Sequence, residues 1–450
     1  MENLDGTILA TAAPSMARSF HVDSAAISIA ITAYLLTLAV LIPLSGWLTE
    51  RLGVRAIFLS AIAIFTLASV LCALSTSLVE LTGMRVLQGV GGAMMVPVGR
   101  LAVLRTTEKS GLVRAIAYLT WPALVAPIIA PLLGGILTTY ATWPGIFLLN
   151  VPLGAIAFVA GLRLVPRHIR GVARPLDVPG LLLSCTGLGS LVDLGSVLAD
   201  PSPNWMLAIV AAIAGVGLTG LAVRRLLMAR HPLLSLHSFR IETFRVTHAG
   251  GSLFRLTISA LPFLLPLFFQ DALGWTPVQA GAVVLVLFCG NLAIKPATTP
   301  LLRRFGFRAV LVVSTLGAAL SIALAALITN ASPLLLLIAL LFGSGVARSV
   351  GFTAYNTIAF ADVPGDEMTD ANTLSSTVQQ VASGFGVAVG AVALSAGRPL
   401  GALVGASGPV AAFHVAFVII AVIALVPFIE ALVLSRSAGE NIRPVRPLTP

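Results

Sequence analysis

Leu48-Thr49-Glu50-Arg51-Leu52-Gly53-Val54-Arg55 returns far along the chain as Leu301-Leu302-Arg303-Arg304-Phe305-Gly306-Phe307-Arg308. Both read L-x-x-R-x-G-x-R, and each lies between two long apolar runs. A basic turn recurring at matching places divides the chain into two similar halves. Repeats related about an axis along the membrane normal are what a two-bundle membrane carrier shows. Chance similarity of two basic turns is the alternative.

Working outward from these turns, apolar runs long enough to cross a hydrocarbon core of about 30 Å recur over the whole length. We read them at 25–48, 55–77, 81–104, 113–138, 144–165, 178–199, 205–227, 247–270, 278–298, 308–329, 333–360, 371–396 and 410–434, thirteen complete spans. A fourteenth, at 4–16, is expected to be too short to cross, as if the first helix lacked its beginning. The runs are continuous rather than alternating, which selects helices over a transmembrane barrel. The 450 residues are 58% hydrophobic and 10% charged, with a mean hydropathy of +1.01. Soluble domains carry about 25% charged residues.

The net charge of +10 does not point to nucleic acid. Arg51, Arg55, Arg105, Lys109, Arg114, Arg163, Arg167, Arg224, Arg225, Arg240, Arg303, Arg304 and Arg308 fall in alternate loops, whereas the intervening loops carry only Arg18 and Arg398. This positive-inside bias predicts a multi-pass protein of the inner membrane with cytoplasmic termini. The expected organisation is an N-terminal bundle over 1–165, two linking helices with basic connections over 166–246, a C-terminal bundle over 247–436 and a tail over 437–450.

Other chemistries find no support. The only lysines, Lys109 and Lys295, follow Glu108 and Ile294, so no Walker A loop exists. There is neither a G-x-S-x-G elbow nor an H-E-x-x-H zinc site. Cys72, Cys185 and Cys289 are scattered through apolar spans without metal or disulfide spacing. Gly215-Val216-Gly217-Leu218-Thr219-Gly220 matches a dinucleotide fingerprint but lies inside an apolar helix, where it reads as a packing surface. No metal and no cofactor are expected.

Charges inside the apolar runs are then the informative residues, because an intramembrane charge is costly and by default functional. Asp5 stands in Leu4-Asp5-Gly6-Thr7-Ile8, and Arg85 opens Arg85-Val86-Leu87-Gln88-Gly89-Val90-Gly91-Gly92-Ala93. Asp5 is a candidate proton carrier, since burial raises a carboxylate's pKa and an approaching cation lowers it. Arg85 stays protonated and can only tune a neighbour. Plainer readings remain open: a polar residue near a frayed terminus for Asp5, and a side chain snorkelling toward Glu80 for Arg85.

Together these runs resemble the major facilitator superfamily, in particular its fourteen-helix drug:proton antiporters. Gly46-Trp47-Leu48-Thr49-Glu50-Arg51-Leu52-Gly53-Val54-Arg55 is similar to the superfamily's G-x-L-a-D-r-x-G-r-k signature, with Glu50 in the Asp position. It implies a gating loop of Gly46, Glu50, Arg51, Gly53 and Arg55, with Arg100 a partner for Glu50. Ala126-Pro127-Ile128-Ile129-Ala130-Pro131-Leu132-Leu133-Gly134-Gly135 resembles the antiporter signature G-x-x-x-G-P-x-x-G-G. Ala126 and Ala130 replace its leading glycines, while Pro131, Gly134 and Gly135 match. Leu4-Asp5-x-Thr7-Ile8 with Pro14 resembles the first-helix motif, and Trp143, Phe147, Asn150, Pro152 and Gly154 match a run that reads as structural.

The resemblance implies an all-α major facilitator fold: two pseudo-symmetric six-helix bundles plus two linking helices. It also implies a monomeric carrier, not an enzyme, that exports small molecules against protons and is driven by the proton-motive force. Asp5 and Arg85 would couple the proton. Gln88, Arg255, Asn291, Arg348 and Gln379 are candidates for the substrate cavity, with Asp5 and Asp193 its nearby acids and Lys295 at its edge. Because the basic residues dominate that set, the alternative is export of a specific organic anion or metabolite. A passive channel or a non-transporting membrane protein is the remaining alternative. The acidic loop Asp362, Asp366, Glu367 and Asp370 is expected to pair with Arg303 and Arg304 in one gate state.

Overall fold

The computed structural model describes residues 1–106, 112–165, 175–200, 202–230, 232–364, 367–403, 405 and 408–434. Among these the regular elements are all helical. The helices are α1 (Glu2–Phe20), α2 (Ser28–Leu52), α3 (Val54–Leu74), α4 (Leu78–Thr106), α5 (Leu112–Tyr140), the short α6 (Gly145–Leu148) running into α7 (Asn150–Leu164), α8 (Val178–Ala199), α9 (Trp205–Met228), α10 (Glu242–Leu267), α11 (Pro277–Ala293), α12 (Lys295–Ala325), α13 (Leu334–Ile358), α14 (Met368–Leu403) and α15 (Pro409–Val433). Ten are long and apolar enough to cross a membrane, counting α6–α7 as one. With α1, α4, α5 and α11 they make fourteen crossings, since the first part of α12 continues α11 and the rest returns.

The first helix is longer than expected. It has 19 residues, about 28 Å at 1.5 Å per residue, because it runs on through Arg18 and Ser19. Both are exposed, and the basic residue sits in the last turn, where a cation suits the helix dipole. His21 closes the helix in the left-handed conformation, and the Val22 N–H donates to the Ala17 carbonyl.

The two basic turns, 48–55 and 301–308, are built alike. Gly53 has φ 88 and ψ 149, Gly306 has φ 80 and ψ 165, and each lies where one crossing ends and the next begins. That backbone is nearly closed to residues with a Cβ. Two residues on, Arg55 donates to the carbonyls of Leu162 (2.7 Å) and Val165 (3.3 Å) at the end of α7. Arg308 donates to the Leu432 carbonyl at the end of α15 (2.6 Å). Each arginine thus satisfies the open C-terminal carbonyls of its bundle's last helix.

The bundles, α1–α7 and α10–α15, meet chiefly along α5 with α11 and α2 with α14, with a lighter contact of α1 on α10. The two main pairings exchange under a pseudo-two-fold axis. The linking hairpin α8–α9 packs on α2 and α14. Trp205, Met206, Ile209, Val210, Ile213 and Val216 give α9 an exposed apolar face suited to lipid. We call the end that carries Gly53 and Gly306 the basic end.

Candidate functional site

The intramembrane charges found from sequence come together in the N-terminal bundle. Arg85 of α4 donates to the Asp5 carboxylate of α1 through Nη1, and the two side chains are 0% and 1% exposed. Asp5 also accepts from Gln88 Nε2 (3.0 Å) and Asn150 Nδ2 (2.9 Å). Gln88 accepts from Arg85 Nη1 at 2.6 Å and donates to Ser69 Oγ at 2.8 Å. The Arg85 guanidinium lies over the Tyr34 ring at 4.0 Å and near Phe147 at 5.9 Å, while its Nε donates to the Ala30 carbonyl. Arg85 and Gln88 share a face because they are three apart on one helix. Arg85 Nη2 and Asn150 Oδ1 remain without a protein partner.

This corrects two expectations. Gln88 does not line the cavity, because it is fully buried in the Asp5 cluster. Asn150, read as structural, is a hydrogen-bond donor to Asp5. The snorkelling alternative for Arg85 also fails, since the side chain is sealed in the protein.

Between the bundles lie two adjoining spaces that share lining residues. A deep chamber of about 370 Å³ is lined by Glu2, Tyr34, Arg255, Asn291, Lys295 and Arg348, among others. A vestibule of about 790 Å³ runs past Pro43, Gly46 and Thr49 of α2 and Met368, Asn372 and Gln379 of α14 toward the basic end. Glu2, Arg255 and Gln380 border both. Asn291, Arg255 and Arg348 line the chamber, and Gln379 lines the vestibule, donating to Asn356 Oδ1 and Ser375 Oγ at 2.9 Å. The acid on the chamber wall is Glu2, which the sequence reading passed over; Asp193 is exposed on α8, and Asp5 is sealed by Arg85.

The opposite end is shut. The antiporter-like run packs α5 on α11 backbone to backbone: a Cβ at Gly135 would strike the Pro277 carbonyl, and one at Gly281 the Pro131 carbonyl. Gly134 lies against Ile8 of α1, Ala130 and Pro131 are buried, and Ala126 is half-buried. Beyond them Asp23, before α2, pairs with Arg398 of α14 at 2.6 Å. The molecule is open at the basic end and closed at the other.

In the gating loop, Gly46 lines the vestibule and Arg51 lies over the Trp47 ring at 5.3 Å. The side chains of Glu50 and Arg100 lie outside the described residues, as does Asp366. Glu367 meets His237 at 3.7 Å, so the expected pairing of this acidic loop with Arg303 and Arg304 is not the contact seen for Glu367. Arg304 lies over Phe305.

A closed end, an open end and a buried charge pair between them are the working parts of a secondary transporter. The sequence matches the Major Facilitator Superfamily over residues 1–386 and 247–447, and the chain belongs to that family. It is 38% identical to the MdtD multidrug resistance proteins of Escherichia fergusonii and of Escherichia coli K12, over 88% of this chain and 83% of theirs. Solved structures share the fold at low identity. A POT family transporter in complex with 5-aminolevulinic acid has a TM-score of 0.70 at 14% identity, covering 98% of this chain and 94% of that one. The nucleoside transporter NupG has a TM-score of 0.65 at 13% identity, with 96% of each chain covered.

Proposed function

We propose that this chain is a proton-coupled exporter of small molecules, a drug:proton antiporter working by alternating access. It works as a monomer in the inner membrane with its basic end in the cytoplasm, and uses the proton-motive force and no cofactor. The observation that carries this reading is the sealed Asp5–Arg85 pair beside a chamber that opens at the basic end. While Asp5 is ionised, the cluster is neutral overall and fully buried. Protonating Asp5 leaves Arg85 uncompensated, and an unpaired buried charge costs about 3–5 kcal/mol. A proton can therefore settle on Asp5 only in a state that gives Arg85 water or another acceptor. This ties proton binding to movement of α1 against α4. The names of the MdtD relatives support drug export.

The energetics suffice. A proton crossing 100 mV releases about 2.3 kcal/mol. At about 1.4 kcal/mol per tenfold, that sustains a gradient of roughly fiftyfold for a neutral cargo. The test is proton flux in proteoliposomes under an imposed pH gradient, with drugs and organic anions added to the native chain, Asp5→Asn and Arg85→Ala. Substrate-dependent proton movement lost in both variants is expected. Flux that survives Asp5→Asn would remove Asp5 from the mechanism. Transport of a specific organic anion or metabolite is the second reading, favoured by the basic residues on the chamber wall.

A further inference from the structure

Proton exchange leaves the chemistry of the cargo open; the chamber wall does not. Three cations from three helices face it: Arg255 of α10, Lys295 at the start of α12 and Arg348 of α13, all half-buried. Their hydrogen-bond partners are neutral. Arg255 Nη2 donates to Asn356 Oδ1 (3.4 Å), Lys295 Nζ to Thr353 Oγ1 (3.1 Å) and Arg348 Nη1 to the Ile258 carbonyl (2.9 Å). Among the described residues no carboxylate lies within ion-pair distance of any of them. Among the described residues Glu2 is the single acid on the chamber wall, so three basic side chains face one acidic one. The same molecule pairs Arg85 with a carboxylate, whereas these three are held without one.

Aromatic rings steady them instead. Arg255 lies over the Phe352 ring at 4.0 Å, Lys295 is 5.9 Å from the same ring, and Arg348 is 5.6 Å from Phe288. A ring face attracts a cation but does not neutralise it. Like charges drawn onto one ring form a positive locus in a low-dielectric wall, bordered by Phe263, Phe288 and Phe352. At about 370 Å³ the chamber falls in the range of sites for drug-sized molecules.

We propose that the chamber is a binding site for a small organic anion, its carboxylate, sulfonate or phosphate group between Arg255, Lys295 and Arg348 and its apolar or aromatic body against Phe263, Phe288 and Phe352. The proposal deepens the export reading and rests on it for the direction of transport, while occupancy of the site does not depend on proton coupling. Glu2 opposes such a ligand from across the chamber and disfavours a dianion pushed toward α1.

The test is fluorescence anisotropy of two dyes, anionic carboxyfluorescein and cationic ethidium, with the full chain in a neutral detergent and no gradient. Carboxyfluorescein is expected to bind the more tightly. Arg255→Gln and Arg348→Gln are each expected to weaken it by about tenfold or more, the usual consequence of removing one partner of a buried charge contact. Lys295→Arg is expected to keep binding that Lys295→Gln loses, showing that charge rather than collapse of the pocket is at issue. Glu2→Gln should tighten it. Ethidium binding as tight as or tighter than carboxyfluorescein overturns the proposal. So does carboxyfluorescein binding that is absent, or indifferent to both arginine substitutions. Because the assay needs no proton, a failure here leaves the flux test of Asp5 standing, and a failure there leaves this site standing.

Discussion

The two bundles hold their intramembrane charges in opposite ways. In the first, Arg85 is sealed with one oxygen of Asp5, and Gln88 and Asn150 both donate to the other. In the second, Arg255, Lys295 and Arg348 stand half-buried along a cavity with neutral partners. One bundle settles its charge internally; the other leaves it to whatever enters. On the function proposed above, the difference separates two tasks of a coupled carrier, holding a proton and recognising a cargo. It also places them on different sides of the chamber.

The largest effect should come from splitting the closed pair. Arg85→Ala or Asp5→Ala leaves a lone buried charge and should cost about 3–5 kcal/mol, read as a lower melting temperature in detergent. The double variant Asp5→Asn/Arg85→Gln should recover much of that stability while staying inactive in proton flux. If the double variant were no more stable than the singles, the picture of internal compensation would break. By contrast, Arg348→Gln should cost little stability, since it removes a charge that has no acidic partner.

Next come the glycines that shut the opposite end. Gly135→Val and Gly281→Val push a side chain into a facing carbonyl, and overpacking of this kind costs about 1–3 kcal/mol. The penalty falls on the state seen here, so the equilibrium should move toward opening at that end. Thiol labelling of Thr11→Cys, a buried position whose carbonyl accepts from Gln270 Nε2, should then accelerate. An unchanged labelling rate would show that α5 and α11 separate without reference to these contacts.

Smaller effects sharpen the comparison between the two basic turns. Arg55→Ala and Arg308→Ala each free carbonyls at the end of a bundle's last helix, worth about 1 kcal/mol. Arg55, with two bonds to Arg308's one, should lose the more. Smallest is the Asp23–Arg398 pair, whose side chains are 32% and 55% exposed. Arg398→Ala should change stability by less than about 1 kcal/mol, and high salt should erase the difference.

The crossings, the repeated turn and the two intramembrane charges Asp5 and Arg85 could be read from sequence, because each is a local feature of the chain, whereas their pairing could not. What could not be read was assembled across the chain. Asn150 looks like any polar residue at the start of a helix, yet α7 brings it to Asp5 from well over a hundred positions away. Gln88 belongs to the same motif as Arg85, and only the facing of α4 decides that it serves the carboxylate rather than the cavity. Glu2 seemed a terminal residue until α1 was seen to carry it to the chamber wall. Gly281 gave no signal at all, since its partner is a backbone carbonyl of Pro131 and not a side chain.

The linking hairpin has a mechanical consequence. Helix α8 touches α2 of one bundle and α14 of the other, at the seam along which the two must slide. Where it meets α14 its surface is low, a Cβ at Gly195 sitting 3.4 Å from that of Ala388, whereas Gly187 is turned toward α9. Few ridges means little to unlock. As the halves tilt, α8 can act as a bearing, guiding the travel of both without choosing either end of the stroke.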